Sequence, residues 1–256
     1  MTTEMVRTLN PMEAELQRRH GELAALDAEL AQRELELLTF RTELFAFQTR
    51  YLKAVGPLYA ELDQIEAELA EIRAEQSPTN QKAQRRARAA REQADQSKQA
   101  NEATQNEDEP KFKPTDSLKK LYREFAKRFH PDLATDEAER SRLEKLMADA
   151  NQAYAAGDET RLQELMDTGS TTDVRDHDDL EAQLQRICTR IRQLRGRLQN
   201  IQIELAELKG SSVFQLKKQV EEAAERGLDL IQEMVNFLHR EIAKAWRRKS
   251  KFNPTT

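Results

Sequence analysis

The longest pattern in the sequence is a series of apolar side chains that step alternately by three and four residues, from Leu9 to Leu58. This spacing keeps the side chains on one face of a helix, and its repetition over successive heptads is typical of a coiled coil. Few glycines and abundant leucine, alanine, glutamate and arginine agree with long helices. Arg19 and Arg33 occupy positions in the series, and we expect these charges to fix the register of the coiled coil.

Breaks in the pattern predict where these helices fold back. Gly56 and Pro57 are expected to interrupt the first helix, after which residues 62–72 form a return arm with the same apolar spacing. The spacing returns over residues 180–208 and 216–246, with a glycine- and serine-containing break between them. We therefore predict two antiparallel coiled-coil hairpins.

A polar segment follows the first hairpin. Residues 77–113 are nearly free of large apolar side chains and contain Pro78 and Pro110. Without apolar surface to bury, such a segment is predicted to be a flexible linker, with at most a transient helix near its alanine- and arginine-rich part. Its basic run at residues 82–91 lacks the interleaved aromatic side chains that are typical of single-strand nucleic-acid binding.

Two amphipathic helices are predicted on either side of the tripeptide His130-Pro131-Asp132. Because Pro131 disfavours helical geometry at the residue before it, the first helix is expected to end near Phe129. Its apolar side chains share one face, and its cations step by four residues along another. The apolar positions are Leu118, Leu121, Tyr122, Phe125 and Phe129, and the cations are Lys119, Lys120, Arg123, Lys127 and Arg128.

Local signals bound the helix that follows the tripeptide. Asp136 with Glu139 three residues later predicts an N-cap, and Gly157 suits a C-terminal stop. A further short amphipathic helix is predicted over residues 158–166. The predicted architecture is all-α, with an N-terminal hairpin at residues 1–76, a linker at 77–113, a helical module at 114–168 and a C-terminal hairpin at 176–250.

The segment LKKLYREFAKRFHPD, from Leu118 to Asp132, resembles helix II and the signature loop of the DnaJ (J-domain) co-chaperones. The sequence NQAY, which ends at Tyr154, resembles the end of helix III in that family. The resemblance covers roughly a fifth of the chain, about one small module. It implies that the loop and the basic helix bind a DnaK-type ATP-driven chaperone and accelerate its ATP hydrolysis. The implied partner-binding residues are His130, Pro131, Asp132, Lys119, Lys120, Arg123, Lys127 and Arg128.

The chain departs from the family pattern at both ends of this module. J domains open with a short helix I, but here Pro110 and Pro114 preclude a continuous helix. Phe112, or a helix from elsewhere in the chain, is expected to fill the apolar gap. The short helix at residues 158–166 stands in place of the basic helix IV of the family. The chain therefore resembles a specialised, coiled-coil J protein with an atypical J domain.

Other classes of function find little support in the sequence. Phosphate-loop, dinucleotide and zinc-protease motifs are missing, so we expect no catalytic residue and no enzymatic activity. One cysteine and four scattered histidines predict no disulfide, metal ion or other cofactor. No apolar run approaches the length of about 18 residues that a membrane span needs, and no signal-peptide core is present, which predicts a cytoplasmic protein. The net charge of −5 does not favour nucleic acid.

The sequence leaves several functions open. The favoured interpretation is a co-chaperone whose coiled coils select an unidentified client protein or a location. The alternative is a structural or scaffolding coiled-coil protein with an inactive J-like hairpin, and a nucleic-acid-associated coiled coil is a weaker third. Because the first helix outreaches its return arm, its remaining apolar seam needs a partner. We expect the C-terminal hairpin of the same chain to cover it, with a homo-oligomer as the alternative.

Overall fold

The computed structural model describes residues 11–105, 112–134, 136–168 and 180–252. Within these ranges the chain forms eight α-helices, which confirms the predicted all-α class. They are α1 Pro11–Glu75, α2 Gln81–Gln105, α3 Asp116–Phe129, α4 Glu137–Ala156, α5 Glu159–Thr168, α6 Leu180–Gly210, α7 Ser212–Glu225 and α8 Leu230–Ser250. None of these helices combines the length and the apolarity needed to cross a membrane.

The contacts divide the chain into two units, each built from two stretches of sequence. The first unit comprises Met1–Thr42 and Phe112–Lys209, and the second comprises Glu43–Lys111 and Gly210–Thr256. These boundaries differ from the predicted ones because α1 contributes its first part to one unit and the remainder to the other.

Helix α1 continues through Gly56 and Pro57, so the predicted interruption there is wrong. Proline removes one helical hydrogen bond and crowds the preceding turn, but buried side chains such as Val55 and Ile65 hold the helix on either side of it. A Cβ atom added to Gly56 would lie 3.2 Å from the side-chain oxygen of Asn101 on α2. The glycine therefore permits a close approach between helices instead of a turn, and residues 62–72 belong to α1.

The predicted flexible linker is mostly helix α2, which packs antiparallel against the end of α1. Gln84, Arg91 and Gln93 of α2 hydrogen-bond to residues 74, 71 and 63 of α1 respectively. The residue numbers fall along α1 as they rise along α2, so the two helices run in opposite directions. Ala87 and Ala94 are buried in α2. The N-terminal hairpin thus turns near Asn80, whose side-chain oxygen accepts from Ala83 N at 3.2 Å, and its return arm uses alanine in place of large apolar residues.

In the first unit, the apolar seam of α1 pairs with α6. Leu30 and Leu37 share a buried cluster with Leu194, Leu198 and Ile201. Besides Glu22–Arg195, three ion pairs with the same sequence separation follow this interface, namely Asp27–Arg190 at 3.3 Å, Glu34–Arg197 at 2.7 Å and Arg41–Glu204 at 2.6 Å. Because the numbers of both partners rise together, the two helices run parallel. The expected intramolecular cover for the first helix is confirmed here, but the seam of α6 is buried in a parallel pair and not in the predicted antiparallel hairpin.

The charges expected to fix the register of α1 do not perform that task. Arg19 pairs with Glu15 and Glu22, and Arg33 pairs with Glu36, all within α1. Intrahelical pairs at three- and four-residue spacing support the helix itself and carry no information about a neighbouring helix.

In the second unit, α8 packs against the last part of α1. Ile242 and Ala245 share a buried cluster with Ile65 and Leu69. The predicted break between the third and fourth arms is confirmed, because α6 ends at Gly210 and Ser211 caps α7. The fourth arm is itself divided into α7 and α8 near Gly227, whose φ of 77° is left-handed and favours glycine.

Helices α3, α4 and α5 form the core of the predicted helical module. The expected N-cap is confirmed, since the Asp136 side chain accepts from Glu139 N at 2.8 Å. Gly157, with φ 73°, ends α4 as expected. Leu162 and Leu165 of α5 are buried in the same core, as the predicted amphipathic pattern requires.

Both of the expected substitutes for helix I are present. The ring of Phe112 packs edge-on against Tyr154, with 5.5 Å between the ring centroids. Ala31 and Leu35 of α1 are buried in the core of the module, and Leu38 packs against it. A helix from elsewhere in the chain therefore covers the apolar surface of the module, as expected.

Candidate functional site

The amphipathic pattern of α3 orients the predicted docking cations. Thr115 caps the helix by accepting from Leu118 N at 3.0 Å, and the apolar face of α3 is buried in the core of the module. The opposite face leaves four of the five cations exposed and Lys119 half-buried. The exposed cations are Lys120, Arg123, Lys127 and Arg128.

Three of these five cations have contacts that hold them near the helix surface. Lys119 lies 3.6 Å from Asp116 within α3. The Arg123 guanidinium donates to the side-chain oxygen of Gln32 on α1 at 3.0 Å, and Arg128 lies over the Phe129 ring at 5.4 Å. Of these three partners only Asp116 is acidic, so the positive charges are largely uncompensated by carboxylates.

The NQAY sequence positions α3 against α4. The Tyr122 hydroxyl donates to the side-chain oxygen of Asn151 at 2.7 Å, and burial raises the pKa of Tyr122, so the group remains a donor. The Tyr154 ring lies 5.0 Å from the Tyr122 ring, and its hydroxyl lies 2.8 Å from the hydroxyl of Thr39 on α1. The NQAY sequence thus has a structural role, because it holds α3, the helix that ends at the loop, against α4.

The loop begins where α3 ends, at Phe129, as the sequence predicts. His130 is extended, with φ −66° and ψ 137°, and residues Pro131–Leu133 form a single 3-10 turn. The amide of Asp132 donates to His130 Nδ1 at 3.1 Å. Because Nδ1 accepts this bond, the imidazole proton lies on Nε2, which is 3.3 Å from Glu34 Oε1.

Glu34 is a buried carboxylate that joins the loop to α1 and α6. It is 8% exposed, and Arg197 of α6 donates to its Oε1 atom from Nε at 2.7 Å. Burial raises the pKa of Glu34, but the hydrogen bonds from His130 and Arg197 outweigh this effect and hold the pKa below its usual value. The carboxylate is therefore charged and shared between the loop and a neighbouring helix.

Arg190 of α6 makes a second contact with the loop. One end of its guanidinium donates to the backbone carbonyl of Asp132, and the other lies 3.3 Å from Asp27 of α1. His130 is only 7% exposed as a result of this enclosure, whereas Pro131 and Asp132 are half-buried. A cleft of about 270 Å³ opens beside Pro131 and Asp132.

One carboxylate oxygen of Asp132 has no hydrogen bond. Oδ2 is buried and lies 3.5 Å from His130 Nδ1, an atom that already accepts a hydrogen bond from the Asp132 amide. Among the side chains that the structure describes, Asp132 Oδ2 is the one buried nitrogen or oxygen atom without a hydrogen-bond partner. An unpaired buried acceptor is costly, and its presence calls for an explanation.

The structure thus brings the predicted residues together on one helix and the loop that follows it, but it exposes them unequally. The cations face outward, and His130 faces the helix pair. The sequence analysis did not identify Asp27, Glu34, Arg190 and Arg197 as neighbours of the loop. Their heptad spacing is visible in the sequence, since the two acids lie seven residues apart in α1 and the two arginines seven residues apart in α6. Within the described ranges, no group of three or more His, Cys, Asp or Glu side chains is placed to hold a metal ion.

Comparison with known proteins identifies no relative of this chain. No protein-family model, no curated protein and no solved structure matches it.

Proposed function

We propose that the protein is a J-domain-like co-chaperone. The loop of His130, Pro131 and Asp132, with the α3 cations, binds a DnaK-type ATP-driven chaperone and accelerates its ATP hydrolysis. The coiled-coil helices provide specificity for a client protein or a location. The observation that carries the proposal is the buried, unbonded Oδ2 atom of Asp132.

A plain helix-ending turn would use Asp132 differently. In such turns the aspartate side chain bonds to nearby backbone amides, but here the imidazole of His130 accepts the amide of Asp132. The carboxylate is left with an unused acceptor, at a cost of about 1–3 kcal/mol if it is not compensated. A donor supplied by a partner protein would remove that cost, so the loop is better suited to binding than to closing a turn.

The exposed cations of α3 supply the electrostatic part of docking. A positive stripe steers and orients the encounter with an acidic surface, mainly by raising the association rate. The loop then supplies contacts that differ between the two nucleotide states of the chaperone, because only such a difference shifts its conformational equilibrium. The stripe and the loop therefore have separable effects.

Replacing His130 with glutamine should abolish stimulation of a DnaK-type ATPase. Glutamine is close in size but cannot place an acceptor and a donor as the two imidazole nitrogens do, so the loop geometry is lost. The cost in folding stability should be about 1–3 kcal/mol, because the buried partners of the imidazole lose a hydrogen bond that water cannot readily replace. Steady-state ATP hydrolysis, measured against increasing concentration of the wild type and of His130→Gln, checks this.

Circular dichroism provides the control for folding, since both proteins should have the same helical signal. Equal stimulation by the wild type and His130→Gln would show that the loop is not the docking element. The His20→Gln variant, altered at an exposed histidine of α1, should stimulate like the wild type.

Reversing three cations of the stripe, as Lys119→Glu, Arg123→Glu and Lys127→Glu together, should slow association with the chaperone. The expected decrease is about tenfold or more at low salt and smaller at high salt, because exposed charges are screened over about 10 Å at 0.1 M. Stopped-flow association at several salt concentrations measures it. If the triple variant associates as fast as the wild type at low salt, the stripe is only a solvated face.

The second candidate is a scaffolding coiled-coil protein whose J-like hairpin is inactive. The burial of His130 between α1 and α6 favours it, because a docking loop is expected to be accessible. The same ATPase titration separates the two candidates, since the scaffold would produce no stimulation at any concentration.

A further inference from the structure

We infer that α1 and α6 form a clamp that masks the His130 loop, so that the docking activity is inhibited within the chain. The clamp is defined by Asp27 and Glu34 of α1 with Arg190 and Arg197 of α6. This inference rests on the proposed function, because it concerns the regulation of that same loop.

The clamp belongs to a regular ladder of ion pairs. In the three pairs Asp27–Arg190, Glu34–Arg197 and Arg41–Glu204, the partners are separated by 163 positions in every case. The constant separation means that the helices stay in parallel register over two heptads. The ion pairs of the ladder therefore follow from the register of the two helices and do not depend on the loop.

Only the first two pairs of the ladder contact the loop. Arg190 donates to the carbonyl of Asp132, and Glu34 Oε1 lies 3.3 Å from His130 Nε2. The third pair, Arg41–Glu204, joins the same helices at a more exposed position, with side chains 54% and 29% exposed. Glu204 also accepts from Arg197 at 3.1 Å, and removal of the Arg41 side chain leaves that bond in place. Arg41 therefore offers an internal control that is matched in chemistry and makes no contact with the loop.

The helix pair does not depend on these charges alone. Leu30, Leu37, Leu194, Leu198 and Ile201 form the buried seam between α1 and α6. Removal of one ion pair should therefore release the loop while the helices remain associated. This separates unmasking from unfolding.

Masking has a quantitative consequence for docking. If the loop is released in only a fraction of molecules, the apparent dissociation constant rises by the inverse of that fraction. Four of the five α3 cations are exposed in the masked form, so a chaperone can be attracted before the loop is released. Unmasking should therefore change the concentration needed for stimulation more than the maximal stimulation.

The variants Arg190→Ala and Glu34→Ala each remove one contact with the loop, and the Arg41→Ala variant is the control. In the ATPase titration, the half-maximal concentration should fall about tenfold for the first two if roughly one wild-type molecule in ten is unmasked. The control should match the wild type. Adding His130→Gln to Arg190→Ala should abolish the stimulation, which shows that the released loop is responsible.

Chemical modification measures the mask without any chaperone. In the full-length protein, diethyl pyrocarbonate should modify the exposed His20 and His239 quickly and His130, which is 7% exposed, several times more slowly. In Arg190→Ala and Glu34→Ala, the rate at His130 should approach that of His20. Circular dichroism of each variant verifies that the helices persist.

The outcomes distinguish the two proposals. If His130 of the wild type reacts as fast as His20, or if the clamp variants do not lower the half-maximal concentration relative to Arg41→Ala, the inhibitory clamp is wrong even if stimulation occurs. If His130 is protected and becomes reactive in the clamp variants but no variant stimulates the ATPase, α1 and α6 cover the loop but the protein is not a co-chaperone. The inferred inhibition is then wrong as well, because there is no docking activity to inhibit.

Discussion

Replacing Phe125 with alanine should unfold the core formed by α3, α4 and α5. The Phe125 side chain is fully buried, and its ring lies 4.8 Å from the ring of Phe129. Truncating a buried phenylalanine costs about 3–5 kcal/mol, which is a large part of the total stability of a small domain. Hydrogen exchange at the amides of these helices should show loss of protection, and stimulation of the chaperone should be lost as well.

The matched control is Phe237→Ala, which makes the same chemical change at a residue that is 53% exposed in α8. It should alter stability by less than about 0.5 kcal/mol, as is usual for surface substitutions. Exchange is the suitable measurement because the chain has two units, and a single melting curve would average them. Retained protection of α3 in Phe125→Ala would show that the module does not depend on this core.

The helices around the loop could be predicted because local rules determine them. The apolar face of α3, the end of α3 before Pro131, the Asp136 cap and the left-handed Gly157 all depend on residues within a few positions of one another. Such short-range signals require no knowledge of the remainder of the chain. The cationic face is exposed for the same reason, since it lies opposite the buried one.

The environment of His130 could not be predicted in this way. Its burial depends on Glu34 and Arg197, which are distant in sequence and meet only because α1 and α6 run parallel. Parallel pairing of two helices needs a long connection, and the short breaks in the sequence favoured antiparallel hairpins instead. The heptad spacing of the complementary charges was visible, but it acquires meaning only once the two helices are known to be partners.

The two wrong predictions in the second unit have a common cause. Glycine followed by proline usually ends a helix, and a segment without leucine or isoleucine usually lacks a face to bury. In the structure, Gly56 allows α2 to lie close to α1, and Ala87 and Ala94 are the buried residues of α2. Close packing of small side chains replaces a wide apolar seam, and a search for large residues overlooks it.

Replacing Ala94 with aspartate should detach α2 from α1. Ala94 is 2% exposed, and α1 contributes carboxylates such as Asp63 and Glu71 to its contacts with α2. A charge buried without a partner costs several kcal/mol, and here the neighbouring acids would repel it. Most of the lysine and arginine side chains between positions 82 and 98 are exposed already, but trypsin cuts only where the backbone opens. In the detached helix, the peptide bonds that follow these residues should therefore be cut faster.

The control is Ala89→Asp, at an exposed position of the same helix. Both substitutions lose the same intrinsic helix propensity, about 0.7 kcal/mol, so any difference between them reports burial against α1. Limited trypsin digestion should cut Ala94→Asp within α2 at least about tenfold faster than Ala89→Asp, which corresponds to a difference of about 1.4 kcal/mol when cleavage follows the open population. If the wild type is cut in this segment as quickly as Ala94→Asp, α2 does not pack on α1. The prediction of a flexible linker would then be restored for residues 81–105, and the last part of α1 would need a different partner for the face that α2 covers.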